Sequence, residues 1–297
     1  MNKITMILMA LLLLSGTLAC GFTVRAPDID IQVPTLQVGE MQDERRSIPL
    51  AGAESAAVEI LFGAGDLEIE AGTSDELFSG HFRYNVERWE PQITHGDDVL
   101  SIKQGGHEED WAIPTGMTRN EWDLEFSPEI PLEMDITLGA GEGSLDFTGL
   151  QLAALDVDMG AGDFTLRFDE PNEIEMEQLT LDTGASKLDV RRVGNASPKQ
   201  MKLQGGVGDI TLDLTGAWAR SAEVRITTGV GSLTLRLPDD VGVRVETEGG
   251  LSHVEASGLK REGNLYVNDA FGEVEPELRV YITTGVGGVR LIGVSNE

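Results

Sequence analysis

A short glycine motif returns through the second half of this chain at almost constant spacing, and few folds can accommodate such a pattern. The copies are Gly139-Ala140-Gly141, Gly160-Ala161-Gly162, Gly184-Ala185-Ser186, Gly206-Val207-Gly208, Gly229-Val230-Gly231, Gly249-Gly250-Leu251 and Gly285-Val286-Gly287. Counted from 139, 160, 184, 206, 229, 250 and 285, the steps are 21, 24, 22, 23, 21 and 35 residues. One earlier copy, Gly63-Ala64-Gly65, lies in the first half. A unit of about 22 residues cannot bury an apolar face alone, whereas stacked copies make one continuous core.

The residues around each motif say what the units are. Apolar and polar residues alternate before it, as in Met134–Leu138, Leu155–Met159 and Val241–Val245, and after it, as in Phe164–Phe168, Ile210–Leu214 and Leu233–Leu237. That period of two belongs to strands with one buried face. Glycine suits a sharp corner because it takes positive φ at no cost and lets neighbouring backbones approach; both properties are expected at Gly160 and Gly229. Helical periodicity is confined to short stretches near Glu173–Gln178 and Trp218–Glu223. The expected fold is therefore all-β, a stacked-strand rack or β-solenoid with repeats of about 22 residues. A meander or sandwich shows similar alternation but not the near-constant period. With rungs about 4.8 Å apart, six or seven of them stack to roughly 30 Å.

The N-terminus carries an address. Lys3 precedes an apolar run from Ile4 to Leu14, small residues follow, and Cys20 is the only cysteine. This is the layout of a secretory signal peptide, too short to be a comfortable membrane span. Gly16-Thr17-Leu18-Ala19-Cys20 resembles the lipobox of bacterial lipoproteins, with Thr17 standing where Leu is usual. The resemblance implies cleavage before Cys20 and lipid attachment to its sulfur. The alternative is an ordinary signal peptide with an incidental cysteine. Residues 1–19 are thus expected to be a lipoprotein signal peptide. Residues 20–45, punctuated by Pro27 and Pro34, are expected to be a flexible tether.

Two further resemblances cover most of the remaining chain. The segments 206–214 (GVGDITLDL), 226–246 (ITTGVGSLTLRLPDDVGVRVE), the Gly-Leu pair at 250–251 and 282–294 (ITTGVGGVRLIGV) resemble the C-terminal domain of LiaF-like proteins, the cell-wall-active antibiotic response family. Upstream, residues 36–72, 81–93 and 120–143 resemble the N-terminal region of toast-rack proteins. We accordingly expect a toast-rack-like β region over 46–127 and a repeat β-solenoid over 128–297, with its LiaF-like portion at about 207–294. The resemblance implies a β-rack and an envelope-stress setting in which LiaF restrains a sensor kinase. Typical LiaF proteins carry several membrane helices before this domain, whereas this chain has a lipid-type anchor. Neither family supplies a catalytic residue.

Charge and motif chemistry narrow the function classes. The chain holds 22 basic against 51 acidic residues, a formal charge of −29, so nucleic acid is excluded as a partner. The Gly-x-Gly motifs are followed by strands rather than a helix, which removes the phosphate-loop reading. Asp66, Asp163 and Asp209 follow three corners, but Ser144, Lys187 and Ser232 stand at others, so no calcium-roll repeat is sustained. The four histidines, His81, His95, His107 and His253, show no metal-ligand spacing. We expect no metal, no cofactor and no catalytic residue. Trp89, Trp111 and Trp122 suit core packing, with a carbohydrate or peptide platform as the alternative. Asn195-Ala196-Ser197 reads as a loop that happens to fit a glycosylation sequon. The stretch Ser252–Glu277 interrupts the repeat with exposed-looking Leu259, Leu265, Tyr266 and Phe271; it is either a cap over the last rungs or a partner surface, with Tyr266 and Phe271 as its candidate residues. The expected protein is a non-enzymatic, extracytoplasmic lipoprotein, acting as a binding or regulatory module on an envelope protein or cell-wall component. A polysaccharide-binding or polysaccharide-cleaving solenoid is the alternative.

Overall fold

The computed structural model describes residues 35–96, 99–106, 113–114, 117–249 and 253–295. The signal segment, Cys20, Trp111, His107 and the Gly250-Leu251 pair lie outside them. In chain order the strands are β1 (Thr35–Leu36), β2 (Gln42–Pro49), β3 (Ala56–Ala71), β4 (Glu76–Tyr84), β5 (Pro91–Gly96), β6 (Val99–Gln104), β7 (Ile113–Pro114), β8 (Asn120–Phe126) and β9 (Pro131–Asp146). They continue with β10 (Gln151–Arg167), β11 (Gln178–Arg191), β12 (Gln200–Asp213), β13 (Ala222–Pro238), β14 (Gly242–Gly249), β15 (His253–Ser257), β16 (Lys260–Glu262), β17 (Leu265–Val267) and β18 (Glu277–Val294). Sixteen of these form one sheet, and β1 pairs with β7 separately.

Each regular rung is a single long strand folded across its glycine motif. In β10 the arm before the motif buries Leu155, Val157 and Met159, and the arm after it buries Phe164 and Leu166. Both arms turn these residues into the same core. Only Phe147–Leu150 separate β9 from β10, and four residues can bridge at most about 18 Å between the strand ends they join. The far ends of the two arms must therefore converge, which closes each rung around its apolar interior.

Parallel, in-register pairing stacks the rungs. Ile60, Ile136, Val157, Leu181, Leu203, Ile226 and Ile282 form one column through the core, each at most 1 % exposed. A second column, Ile69, Leu145, Leu166, Val190, Leu212, Leu235 and Leu291, runs through the other arm. Fully burying one such side chain contributes about 1.5–3 kcal/mol, so the columns explain how a chain poor in aromatics builds a core.

The crease divides its demands between two glycines. The second glycine carries the unusual backbone: Gly141 has φ +134°, and a β-carbon there would overlap the carbonyl oxygen of Gly65 on the preceding rung. Positive φ was expected at Gly160 and Gly229, but those first-position glycines lie outside the positive-φ set. What Gly160 needs is room, because a β-carbon would run into the carbonyl oxygen of Gly139. Between the glycines, Ala64, Ala140, Ala161, Ala185, Val207, Val230 and Val286 stack along the crease.

Several expectations change. The early motif belongs to the same rack: β3 pairs with β9 from Ala56 to Ile69, so the sheet runs without a break past residue 127. The chain is already ordered within the expected tether, since Gly39 N–H bonds Asn85 O at 2.7 Å and β2 begins at Gln42. The last strand does not follow the order of the motifs. β18 slots between β13 and β14, so the 35-residue step is a crossover rather than a rung with an insertion. The stretches near 173–178 and 218–223 are not helical, and the one short α-helix among the described residues is Val193–Ala196. Within it Asn195 is buried, donating to Phe168 O at 2.7 Å and accepting from Ala217 N–H at 2.9 Å. Its side chain ties three rungs together, where the sequence reads as a loop.

Candidate interaction surface

The arm before the crease turns one face outward, and register decides what collects there. Residues two apart point the same way and equivalent positions stack at about 4.8 Å. Glu59, Asp135 and Asp156 therefore fall in one row, followed by Thr180, Lys202 and Arg225. Asp158 and Asp182 fall side by side in the next row.

This face is concave. A groove of about 540 Å³ opens across β3, β9, β10 and β11, with Ala57, Val99 and Ala154 among its apolar lining and Glu59, Glu133 and Asp156 among its carboxylates. Val99 is 45 % exposed. A second groove of about 680 Å³, nearer the crease, takes in Thr137, Asp158, Asp182 and Gln204. Glu59 is held by Lys103 at 3.0 Å and Glu177 by Lys199 at 3.2 Å. Asp135, Asp156 and Asp158 have no such cation among the described residues. Partial burial raises the Asp156 carboxyl above its ordinary range, reinforced by Asp158, Asp135 and Asp182 and opposed by Lys202. Asp158 is raised in the same way, by burial first and then by Asp182 and Asp135.

Sequence reasoning looked for aspartates after the corners and missed these before them. The signal was available: Asp135 and Asp156, like Asp158 and Asp182, recur one repeat apart.

The C-terminal end looks different. β17 pairs antiparallel with β14 and β16, bringing Tyr266 opposite Val245. Tyr266, exposed-looking in sequence and a candidate for either a cap or a partner surface, is 1 % exposed, with the Arg261 guanidinium 5.4 Å over its ring. Alternation in β17 turns it inward, against the open end of the core. Leu259, Leu265 and Phe271 are half-buried rather than exposed, and Phe271 N–H donates to Asn268 Oδ1 at 3.0 Å. Between this hairpin and the last rung lies a pocket of about 490 Å³ lined by Thr247, His253, Arg261, Tyr266 and Thr284.

The remaining candidates are structural or dispersed. Trp122 is buried edge-to-face against Phe62 and Phe82, and Trp89 packs on the core. His81 sits between Asp43 at 2.9 Å and Asp123 at 3.4 Å, whereas His95 and His253 are exposed. Asp163 is paired with Lys187, and Asp209 accepts from the Ser232 hydroxyl. Among the described residues no group of three or more His, Cys, Asp or Glu could hold a metal ion. No helix among them is long and apolar enough to cross a membrane.

Creased strands stacked in register from residue 56 onward are the context in which a family match gains meaning. The model for the N-terminal domain of toast_rack, DUF2154, matches residues 37–191 and 171–236. The chain belongs to this toast-rack family. The match reaches neither the lipobox-like segment nor the last rungs, and the LiaF-like resemblance over 207–294 is not among what it shows. Among solved structures, a Clostridium sporogenes protein named for cell adhesion is 26 % identical, with 86 % of this chain and all of that one covered, at a TM-score of 0.47. A Bacteroides fragilis protein named as an adhesin is 11 % identical over 86 % of this chain and 99 % of its own, at 0.38. A Parabacteroides distasonis protein named for lipid binding is 8 % identical over 86 % and 99 %, at 0.43. No curated protein matches the chain.

Proposed function

We propose that this toast-rack protein is a binding or regulatory module of the bacterial cell envelope, held at an extracytoplasmic membrane surface by lipid on Cys20 and acting by docking rather than by catalysis. The observation that carries this reading is the open, concave face presented by one arm of a rigid rack. Loops are few there, and the backbone beneath the face is fully paired from rung to rung, so the surface is preorganised for a large partner. Two or three acyl chains on Cys20 would anchor the body stably, each buried methylene adding about 0.8 kcal/mol. The LiaF-like resemblance of 207–294 supports a place in the response to cell-wall antibiotics.

The row of carboxylates also favours a second reading, cleavage of a polysaccharide lying across the rungs. Retaining glycosidases hold two carboxyl groups about 5–5.5 Å apart, and adjacent rungs supply such spacing automatically. Because any stacked pair of aspartates meets that criterion, the spacing alone has little weight. The two readings part in one experiment. Purified protein is incubated with peptidoglycan and other wall glycans, and a deletion strain is challenged with a cell-wall antibiotic. Docking predicts no release of reducing ends and an altered envelope-stress response. Reducing ends that disappear with Asp156→Asn/Asp158→Asn would establish the enzyme instead.

A further inference from the structure

We propose that the concave face over β3, β9, β10 and β11 docks an extended, lysine- or arginine-bearing polypeptide segment, with the apolar strip at Ala57, Val99 and Ala154 receiving the aliphatic stems of its basic side chains. The inference rests on the docking reading above and names the class of partner.

Charge selects the occupant. Glu133, Asp135, Asp156, Asp158 and Asp182 line this region, and the cations in its rows stand at its two sides: Lys103 on β6, already paired with Glu59, and Lys202 on β12. A second copy is disfavoured, because the rungs beyond β12 mix Arg225, Arg244 and Arg279 with Glu223 and Glu246, and Arg225 is already paired with Glu223 at 2.6 Å. Those rungs carry too little free positive charge to cover the acidic ones, and each copy brings −29. Anionic lipid and nucleic acid are repelled for the same reason.

Geometry selects a polypeptide over a point charge. No three carboxylates here converge as ligands of a metal ion. Glu133 and Asp135, or Asp156 and Asp158, lie two residues apart on one strand, which separates them by about 6.8 Å. An extended peptide repeats the side chains of one face at that distance, so basic residues two apart match the carboxylates while their aliphatic stems lie over the apolar strip. The carboxyls of Asp156 and Asp158 are raised first by burial and then by the carboxylates crowded around them, which Lys202 offsets only in part.

The test uses the full lipidated chain in neutral detergent and a fluorescent peptide, acetyl-(Lys-Val)₄-amide, followed by anisotropy. Asp156→Asn/Asp158→Asn should weaken binding at least tenfold. Glu68→Gln/Glu70→Gln, which removes the same charge from exposed positions on the other arm, should stay within twofold of the wild type. Val99→Ser should weaken binding several-fold without changing charge. Equal losses in both double variants would reduce the effect to bulk charge and overturn the proposal, as would absence of binding or equally effective competition by spermine. Membrane pull-down separates the two levels. If Asp156→Asn/Asp158→Asn recovers every partner the wild type does, the groove proposal falls while the docking function stands. Reducing-end release by the wild type would remove the docking function itself.

Discussion

The middle of the rack and its two ends solve the same problem with different chemistry. From β9 to β13 each rung is one strand, and the crease is made by backbone alone. At the N-terminal end the rung is split: β6 stops at Gln104 and β8 starts at Asn120. There Gln104 Oε1 accepts from Gly63 N–H at 2.8 Å, and Asn120 Nδ2 donates to Ala64 O at 2.7 Å and to Gln104 Oε1 at 2.9 Å. Two buried side chains replace the hydrogen bonds of an absent crease. At the C-terminal end an antiparallel hairpin carries Tyr266 over the core. Repetition works only where a copy lies on each side, and a terminal rung must satisfy its open edge some other way.

The largest expected effect lies in the middle. Gly141→Val combines a positive φ with overlap on Gly65 O, and should lose more than about 3 kcal/mol in urea unfolding, if the protein folds at all. Gly263→Ala is the control at the end: φ is +65° but nothing lies within 4 Å of a β-carbon, so a loss near 1 kcal/mol is expected. Equal losses would mean that the stacked crease adds nothing to the cost of the backbone conformation.

At the C-terminal end, Tyr266→Ser should lose about 2–4 kcal/mol or cause aggregation, because it empties a fully buried site. Phe271→Ser, half-buried, should lose less. A partner surface would behave otherwise, leaving thermal stability intact and losing a membrane partner from pull-downs. If both variants leave stability and partners unchanged, neither role holds for this segment.

The same contrast explains what could be read from the residues. The core columns were legible because Leu155, Val157 and Met159 alternate with charged residues, and the crease was legible because glycine recurs. The split rung was not, since nothing in Gln104 or Asn120 marks a side chain that stands in for backbone. The place of β18 had a signal that motif order concealed. Ile226–Gly231 and Ile282–Gly287 are identical hexads, and they lie in register with five of the six positions paired. Asn195 was read as part of a loop because nothing in one dimension marks a side chain that ties rungs together. The candidate face was the least legible part, for carboxylates become neighbours only once the repeat has been folded into register.

In-register stacking also has an electrostatic cost that the ends avoid. Antiparallel strands at the N-terminal end set His81 between Asp43 and Asp123, and Arg83 beside Asp123 at 3.2 Å. In the middle, parallel register sets Asp135 against Asp156 and Asp158 against Asp182. The carboxyls of Asp156 and Asp158 are raised by burial and by these neighbours, so the folded chain holds their protons more tightly than the unfolded chain. Stability therefore rises as pH falls from the folded-state value toward the ordinary aspartate value, and at neutral pH the two charges are a net cost. Asp156→Asn removes part of that cost. Its melting temperature should exceed the wild type at pH 7 by on the order of 1 °C, since an exposed charge interaction amounts to a few tenths of a kcal/mol. The difference should shrink as pH falls and vanish below the ordinary value of 3.8, where the wild-type carboxyl is neutral as well. Asp43→Asn, which takes a carboxylate from His81 Nε2 at 2.9 Å, should lower the melting temperature slightly. A gap for Asp156→Asn that stays constant between pH 7 and about pH 3.5 would show that stacked charge is not its source.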